Sequence, residues 1–253
     1  MKQHRTVALV PLLCLASVLS AQAAVSVYLS PNGVESAETS GITGVTTETF
    51  STDTGYISSY SSSIGSYAGD GFIIAENIYG GYQEGNYLGI QTGNAMTVTL
   101  TTAASYFGFY FSAGDAGNVV ELYSGGNLLL TFKTADLINM LPNTDGSTIQ
   151  AINGNLYNTK DYWGQPGPNQ QATSNEPYAY VHFVGTNGTT FDQIRFSEPT
   201  TATFETDNHS VRTTAPELPD TLVNITTTVP EPSGAALAAF SFGTLALFRR
   251  RRA

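Results

Sequence analysis

The sequence predicts an all-β protein, an antiparallel β-sandwich of jelly-roll type, and three observations carry that expectation. Charged residues fill only 12% of the 253 positions, too few for the Glu- and Lys-rich surface of a helical bundle. Gly (25), Tyr (14) and Phe (13) are plentiful, and Ser and Thr crowd the first half. Apolar and polar residues alternate with period two over short stretches separated by Gly/Asn turns. The length suits one such domain or two small ones.

Residues 30–70, rich in Ser, Thr and Gly with scattered aromatics, read as edge strands and long loops. Gly80-Gly81-Tyr82 opens a glycine-rich turn that enters a strand at Tyr87-Leu88. Ala95–Thr101 and Tyr106–Phe111 alternate as strands do. Val119–Tyr123 and Leu128–Phe132 flank Ser124-Gly125-Gly126-Asn127, a hairpin turn. Ala135–Met140 is the one stretch that reads as a short helix, and Asn153–Glu176 reads as a long polar loop. Strands follow at Tyr178–Val184, Phe191–Phe196 and Ala202–Val211, the first two joined by the tight connection Gly185-Thr186-Asn187-Gly188. Thr213–Val229, rich in Thr and Pro, reads as a spacer, with a terminal strand over Thr221–Thr228 as the alternative.

Charge is distributed unevenly. Six of the ten basic residues (Lys2, Arg5 and Arg249 to Arg252) lie at the extremities, so residues 24–229 hold four basic against 19 acidic residues, a net charge of −15. Such a chain repels phosphate backbones, which excludes nucleic acid as an expected partner. At the N-terminus, Lys2 and Arg5 precede an apolar run from Val7 to Leu19, and Ala21-Gln22-Ala23 supplies a small-x-small cleavage pattern before Ala24. That order of features predicts a secretory signal peptide over 1–23, cut by signal peptidase on the Sec route. Cys14 leaves with it, so the exported body has no disulfide.

At the C-terminus, Pro230-Glu231-Pro232 leads into an uncharged stretch ending at Phe248 and then into Arg249, Arg250, Arg251 and Arg252. Gly234–Phe248 spans roughly 22 Å as a helix against a hydrocarbon core of about 30 Å, which suits a transient stop in the inner membrane better than a lasting anchor. The arginines stay on the cytoplasmic side. Pro230 and Pro232 hold the chain extended just outside the bilayer, where a processing enzyme can grip it.

This tail resembles the PEP-CTERM sorting signal of exosortase-dependent surface proteins of Gram-negative bacteria. In that family a membrane-embedded exosortase recognises the tail, removes it and releases or attaches the protein at the cell surface, often beside exopolysaccharide and biofilm systems. The body is similar to a class of these proteins with a single β-sandwich. The matching features are Gly80-Gly81 before Asn86-Tyr87-Leu88, the Phe107–Phe111 strand, the Tyr123–Leu130 hairpin, the Tyr180–Gly188 segment and Phe204-Glu205-Thr206-Asp207-Asn208. The resemblance implies a signal peptide over 1–23, a sandwich over 24–212, a spacer over 213–229 and a sorting tail over 230–253. It implies a structural or adhesive protein of the cell surface or extracellular matrix, and it carries no enzymatic activity with it.

The residues themselves offer little catalytic chemistry. The exported body holds two histidines, His182 and His209, and no Gly-x-Ser-x-Gly elbow or phosphate-binding loop. Zinc would need His or Cys clusters that are not there. Calcium is the one ion the composition suits: Glu205 and Asp207, two apart on a strand, share a face, and Asn208 adds an oxygen. No other cofactor is expected. Tyr162 and Trp163, in a Gly/Pro loop, either stack on a sugar or plug the end of the sandwich. A carbohydrate-binding module and a secreted carbohydrate-active enzyme with two facing carboxylates are the rival functions.

Overall fold

The computed structural model describes residues 24–76, 85–112, 114–164, 176–200, 202–222 and 225–226. Its strands run β1 (Ala24–Leu29), β2 (Thr46–Glu48), β3 (Gly55–Ser61), β4 (Gly65–Ile74), β5 (Tyr87–Gln91), β6 (Asn94–Ala104), β7 (Tyr106–Ser112), β8 (Val119–Ser124) and β9 (Asn127–Lys133). A short helix α1 (Thr134–Met140) precedes β10 (Thr148–Gln150), β11 (Leu156–Asn158) and a 3-10 turn (Thr159–Tyr162). The chain then forms β12 (Ala179–Thr186), β13 (Phe191–Glu198), β14 (Thr203–Arg212) and the two-residue β15 (Ile225–Thr226). The protein is all-β and sandwich-like. Among the described residues every strand pairing is antiparallel.

One sheet runs β15-β1-β12-β7-β14-β5-β4-β6-β13-β8-β9, with β2 beside β14 and β3 beside β4. It folds over at β4, whose first half (Gly65–Gly69) pairs β6 and whose second half (Phe72–Ile74) pairs β5. Gly69 makes the corner: its φ of +140° and the crowding carbonyl of Ala95 leave no room for a side chain. The fold-over lays the β12–β7–β14 half on the β6–β13–β8–β9 half. Rings meet across the gap, Phe107 and Phe109 against Phe196, and Phe111 and Phe183 against Phe132. All six are fully buried, and each aromatic ring so placed removes a large apolar area from water.

The alternation in β7 sends Phe107, Phe109 and Phe111 into this core and Tyr106 and Tyr110 to the opposite face. That face is covered too. Ala37 and Ile42 from the loop after β1, Ile152 and Tyr178 pack over Tyr106, Tyr110 and Tyr180 as a second core, with Leu218 and Leu222 against its edge. Part of the stretch read as a spacer therefore lies on the sandwich. Residues 30–70, expected as edge strands and loops, also supply β4, the joint between the two layers.

Hairpin and helix readings agree with the structure. Gly125 and Gly126 take φ of 54° and 80° between β8 and β9, the left-handed pair a two-residue hairpin demands. Asn187 and Gly188 do the same between β12 and β13. Among the described residues no helix is long and apolar enough to cross a membrane.

Candidate functional site

The signal-cleavage residues Ala21 and Ala23, the motif Pro230, Glu231 and Pro232, and Arg249 to Arg252 lie outside the described residues. Ala24, the first described residue, lies in β1 and pairs with Thr186.

Tyr162 and Trp163 serve packing. Tyr162 is buried and its hydroxyl donates to the Ser30 carbonyl at 2.8 Å. The Trp163 indole is half-buried against the main core and donates from Nε1 to the Leu141 carbonyl at 2.8 Å. Beside them is a crevice of about 20 Å³ between Asn32, Gly33 and Gly164, room for about one water and not for a sugar ring.

Both histidines are fully buried and hydrogen-bonded at each nitrogen. His182 meets Ser30 Oγ at 2.8 Å through Nε2 and the Tyr106 hydroxyl at 2.8 Å through Nδ1. His209 meets Tyr67 at 3.0 Å and Thr206 at 2.9 Å, and it stacks on Phe196. Burial drives both pKa values down to about 3, so both rings are neutral across the physiological range. The Ser30–His182 contact has the look of a nucleophile and its base. Yet the second nitrogen of His182 faces a tyrosine where a triad has a carboxylate, and Ser30 is closed off from solvent.

Glu205 and Asp207 share a face of β14, opposite Ser112 and Tyr110 of β7, as their spacing predicts. Neither is solvated: both are buried, and they face different neighbours. Asp207 lies toward Glu35, from the loop that covers the second core. Burial first, and then the Asp207 charge, push the Glu35 carboxyl up to about 9, while the Tyr110 hydroxyl relieves only part of that. No hydrogen bond of ordinary length reaches either Glu35 oxygen or Asp207 Oδ2. Asn208 sits at φ +51° in the bulge that follows, and its side-chain amide donates to the Glu35 carbonyl at 3.1 Å. The three residues offered as a calcium set are thus divided.

Glu205 instead joins Asp115, Glu176 and Glu198 at one end of the sandwich. Burial raises its carboxyl to about 8, helped by the charges of those three, and a backbone N–H offsets a part. Burial also lifts Asp115, to about 6, followed by the neighbouring Glu176 and then Glu198. Glu35, beside Asp207, and Asp115, Glu176 and Glu198, beside Glu205, escape a linear reading because no spacing links them to β14; the fold alone brings each to its neighbour. Among the described residues no group of three or more His, Cys, Asp or Glu is placed so that it could hold a metal ion.

An aromatic pair of one exposed and one half-buried ring lies elsewhere. Tyr56, 57% exposed, packs edge-on against its cross-strand partner Phe72 and donates its hydroxyl to Asp70. Phe72 borders an open groove of about 380 Å³ with Thr54, Ile74, Gln91 and Thr203. Comparison with family models, with curated proteins and with solved structures finds no match for the chain.

Proposed function

We propose that the chain is an exported, exosortase-sorted protein of the cell surface or extracellular matrix, with a jelly-roll-like body and a structural or adhesive role. The observation that carries this reading is the order of features at the two ends. A basic, apolar and small-x-small leader stands before Ala24, and Pro230-Glu231-Pro232, an apolar stretch and four arginines close the chain. Two further facts support it. The described part of the sheet lies wholly after the expected cut, with Ala24 already paired to Thr186. The buried histidines are used up in hydrogen bonds that hold the two cores, which suits a scaffold. Signal peptidase and exosortase are the partners in transit, and exopolysaccharide is the partner outside.

The test is a truncation ending at Val229 beside the intact chain in cells with and without their exosortase. The reading expects the intact chain at the surface only when exosortase is present, and the truncated chain shed without attachment. Surface delivery of the truncated chain, or of the intact chain without exosortase, would overturn it.

A carbohydrate-binding role is the second reading, favoured by the Tyr56–Phe72 pair beside an uncharged groove that combines a ring face with Gln91 and threonine hydroxyls. Retardation in gels cast with neutral polysaccharide, lost in Tyr56→Ala, is the result this reading requires.

A further inference from the structure

The strand β3 lies at the corner of the sheet without the guards that edge strands ordinarily carry. Among the described residues it pairs with β4 alone, and five of its seven residues are exposed, so its outer backbone edge is open. Gly55-Tyr56-Ile57-Ser58-Ser59-Tyr60-Ser61 holds no charge and no proline. Charges, prolines and bulges in the outermost strand are what keep sheets from joining one another. The bulge in this hairpin gives no such protection. Between Ile57 and Ser59 the register steps from Gly71 to Ala68, so the extra residue belongs to β4 and β3 stays regular. Other outer strands are guarded: β9 ends in Lys133, and β2 and β15 are three and two residues long.

The open edge is complementary to itself. The Ser62 N–H donates to the Gly65 carbonyl at 2.9 Å, so even-numbered positions turn their backbone groups toward β4, and Gly55, Ile57, Ser59 and Ser61 turn theirs outward. A second copy laid antiparallel about a two-fold axis at Ser58 pairs Ile57 with Ser59, and Gly55 with Ser61, through those outward groups. The same axis sets Tyr56 of each copy opposite Tyr60 of the other, in the closer, non-hydrogen-bonded sites that favour aromatic pairs. Tyr60 already packs on Tyr67, and Tyr56 on Phe72, with ring centroids 5.7 and 5.5 Å apart, so the pairing joins these rows across the two copies. Charge fits as well. The axis brings Asp53, exposed just before β3, opposite Ser63 of the other copy. Ser63 lines a groove of about 240 Å³ with Ile64 and Arg212, and Arg212 makes no ion pair among the described residues. Residues 24–229 carry a net charge of −15, so two copies repel over most of their surface. Here the strand is neutral and its two ends offer opposite signs.

We propose that β3 pairs antiparallel with β3 of a second copy about Ser58, forming a two-fold dimer in which the two hairpins make one continuous sheet. The contact is isologous, so it closes at two copies and does not run on into a filament. It is also small, with seven strand residues a side against about 20–30 in a standard interface. The dimer therefore forms and dissociates with concentration. Nothing in this pairing depends on sorting by exosortase. Tyr56 also serves the carbohydrate reading, so the dimer is measured without polysaccharide.

The experiment is sedimentation velocity on the purified protein from about 5 to about 500 µM. The expected result is a reversible monomer–dimer equilibrium with a Kd on the order of 10⁻⁵–10⁻⁴ M. Ser58→Lys sets like charges face to face on the axis and should weaken the dimer about tenfold or more. Its melting midpoint at low concentration should match the parent, because Ser58 is exposed. Asp53→Arg and Arg212→Asp should each weaken the dimer about 3- to 10-fold, and the two together should restore it. Cysteine pairing reads the register, in a chain whose one native thiol is removed by Cys14→Ser. Under mild oxidation with diamide, Ser58→Cys should link two copies. Ser61→Cys should not, because the two Ser61 positions lie roughly 20 Å apart along the paired strands. A monomer throughout the range overturns the proposal, as does a dimer untouched by Ser58→Lys. Equal linking at both sites overturns the register, and a double charge swap as weak as the singles overturns the Asp53–Arg212 contact.

Discussion

Glu35 offers the sharpest quantitative test of the second core. Its carboxyl is pushed from 4.5 to about 9 because the covering loop buries it facing Asp207. The folded chain therefore keeps a proton that the unfolded chain gives up near pH 4.5. Stability is full below that value and falls as pH rises toward 9, by about 1.4 kcal/mol per pH unit for this one group. Glu35→Gln keeps the shape and has no proton to lose. Between pH 6.5 and 8.5 the stability of the variant relative to the parent should grow by about 2.5 kcal/mol, or about 5–10 °C in melting midpoint for a chain of this size. Groups remote from Glu35 are common to both proteins and cancel in the difference, and because Asp207 is coupled to Glu35 the comparison is made in an Asp207→Asn background. Urea denaturation at the two pH values, followed through the single tryptophan, reads it directly. A difference that stays constant with pH would refute the reasoning, because Glu35 would then be ionised in the folded state.

Other expectations follow from the same structure. On the acid side, the folded chain keeps His182 and His209 neutral down to about pH 3. Each ring therefore withdraws up to about 1.4 kcal/mol of stability per unit as pH drops below 6.5, against the opposite pull of the raised Glu35 and Glu205 carboxyls. The stability difference between His209→Gln and the parent isolates one ring, and a difference flat from pH 6.5 to 4 would contradict the assignment. Phe109→Ala removes a fully buried ring that touches Phe107, Phe196 and Phe204, and should cost about 3–5 kcal/mol in urea unfolding. Gly69→Ala should destabilise the corner of the sheet through both its φ and its clash with the Ala95 carbonyl, lowering the melting midpoint with little change in far-ultraviolet dichroism. Trp163→Phe deletes one hydrogen bond to Leu141, costs about 1 kcal/mol, and leaves any polysaccharide retention unchanged.

Much of the ladder was legible in the residues because half-buried strands write their alternation directly into the chain. The β7 strand, the β8–β9 hairpin and α1 all follow from period, turn glycines and length. The second core was not legible. Tyr106 and Tyr110 are amphipathic, so their alternation with phenylalanine fits a solvated face as well as a covered one, and nothing local announces the loop that covers them. β1 and β4 hid for related reasons, one behind the leader and the other in a Ser/Gly-rich stretch whose burial depends on distant partners. The candidate site shows the same limit. Glu205 was visible through its spacing from Asp207, but that spacing reported a shared face and not a shared ligand. Asp115 and Glu176 come near it only because β7, β12 and β14 are neighbours in the sheet.

The central claim concerns placement: both ends of the chain are processed and the sandwich between them is delivered outside. Intact-mass measurement of the protein recovered from the cell-surface fraction addresses it directly. The account predicts a species that begins at Ala24 and ends within Pro230–Ser233 before any attached group is counted. A species that still carries Met1 or the arginine tail in that fraction would contradict it.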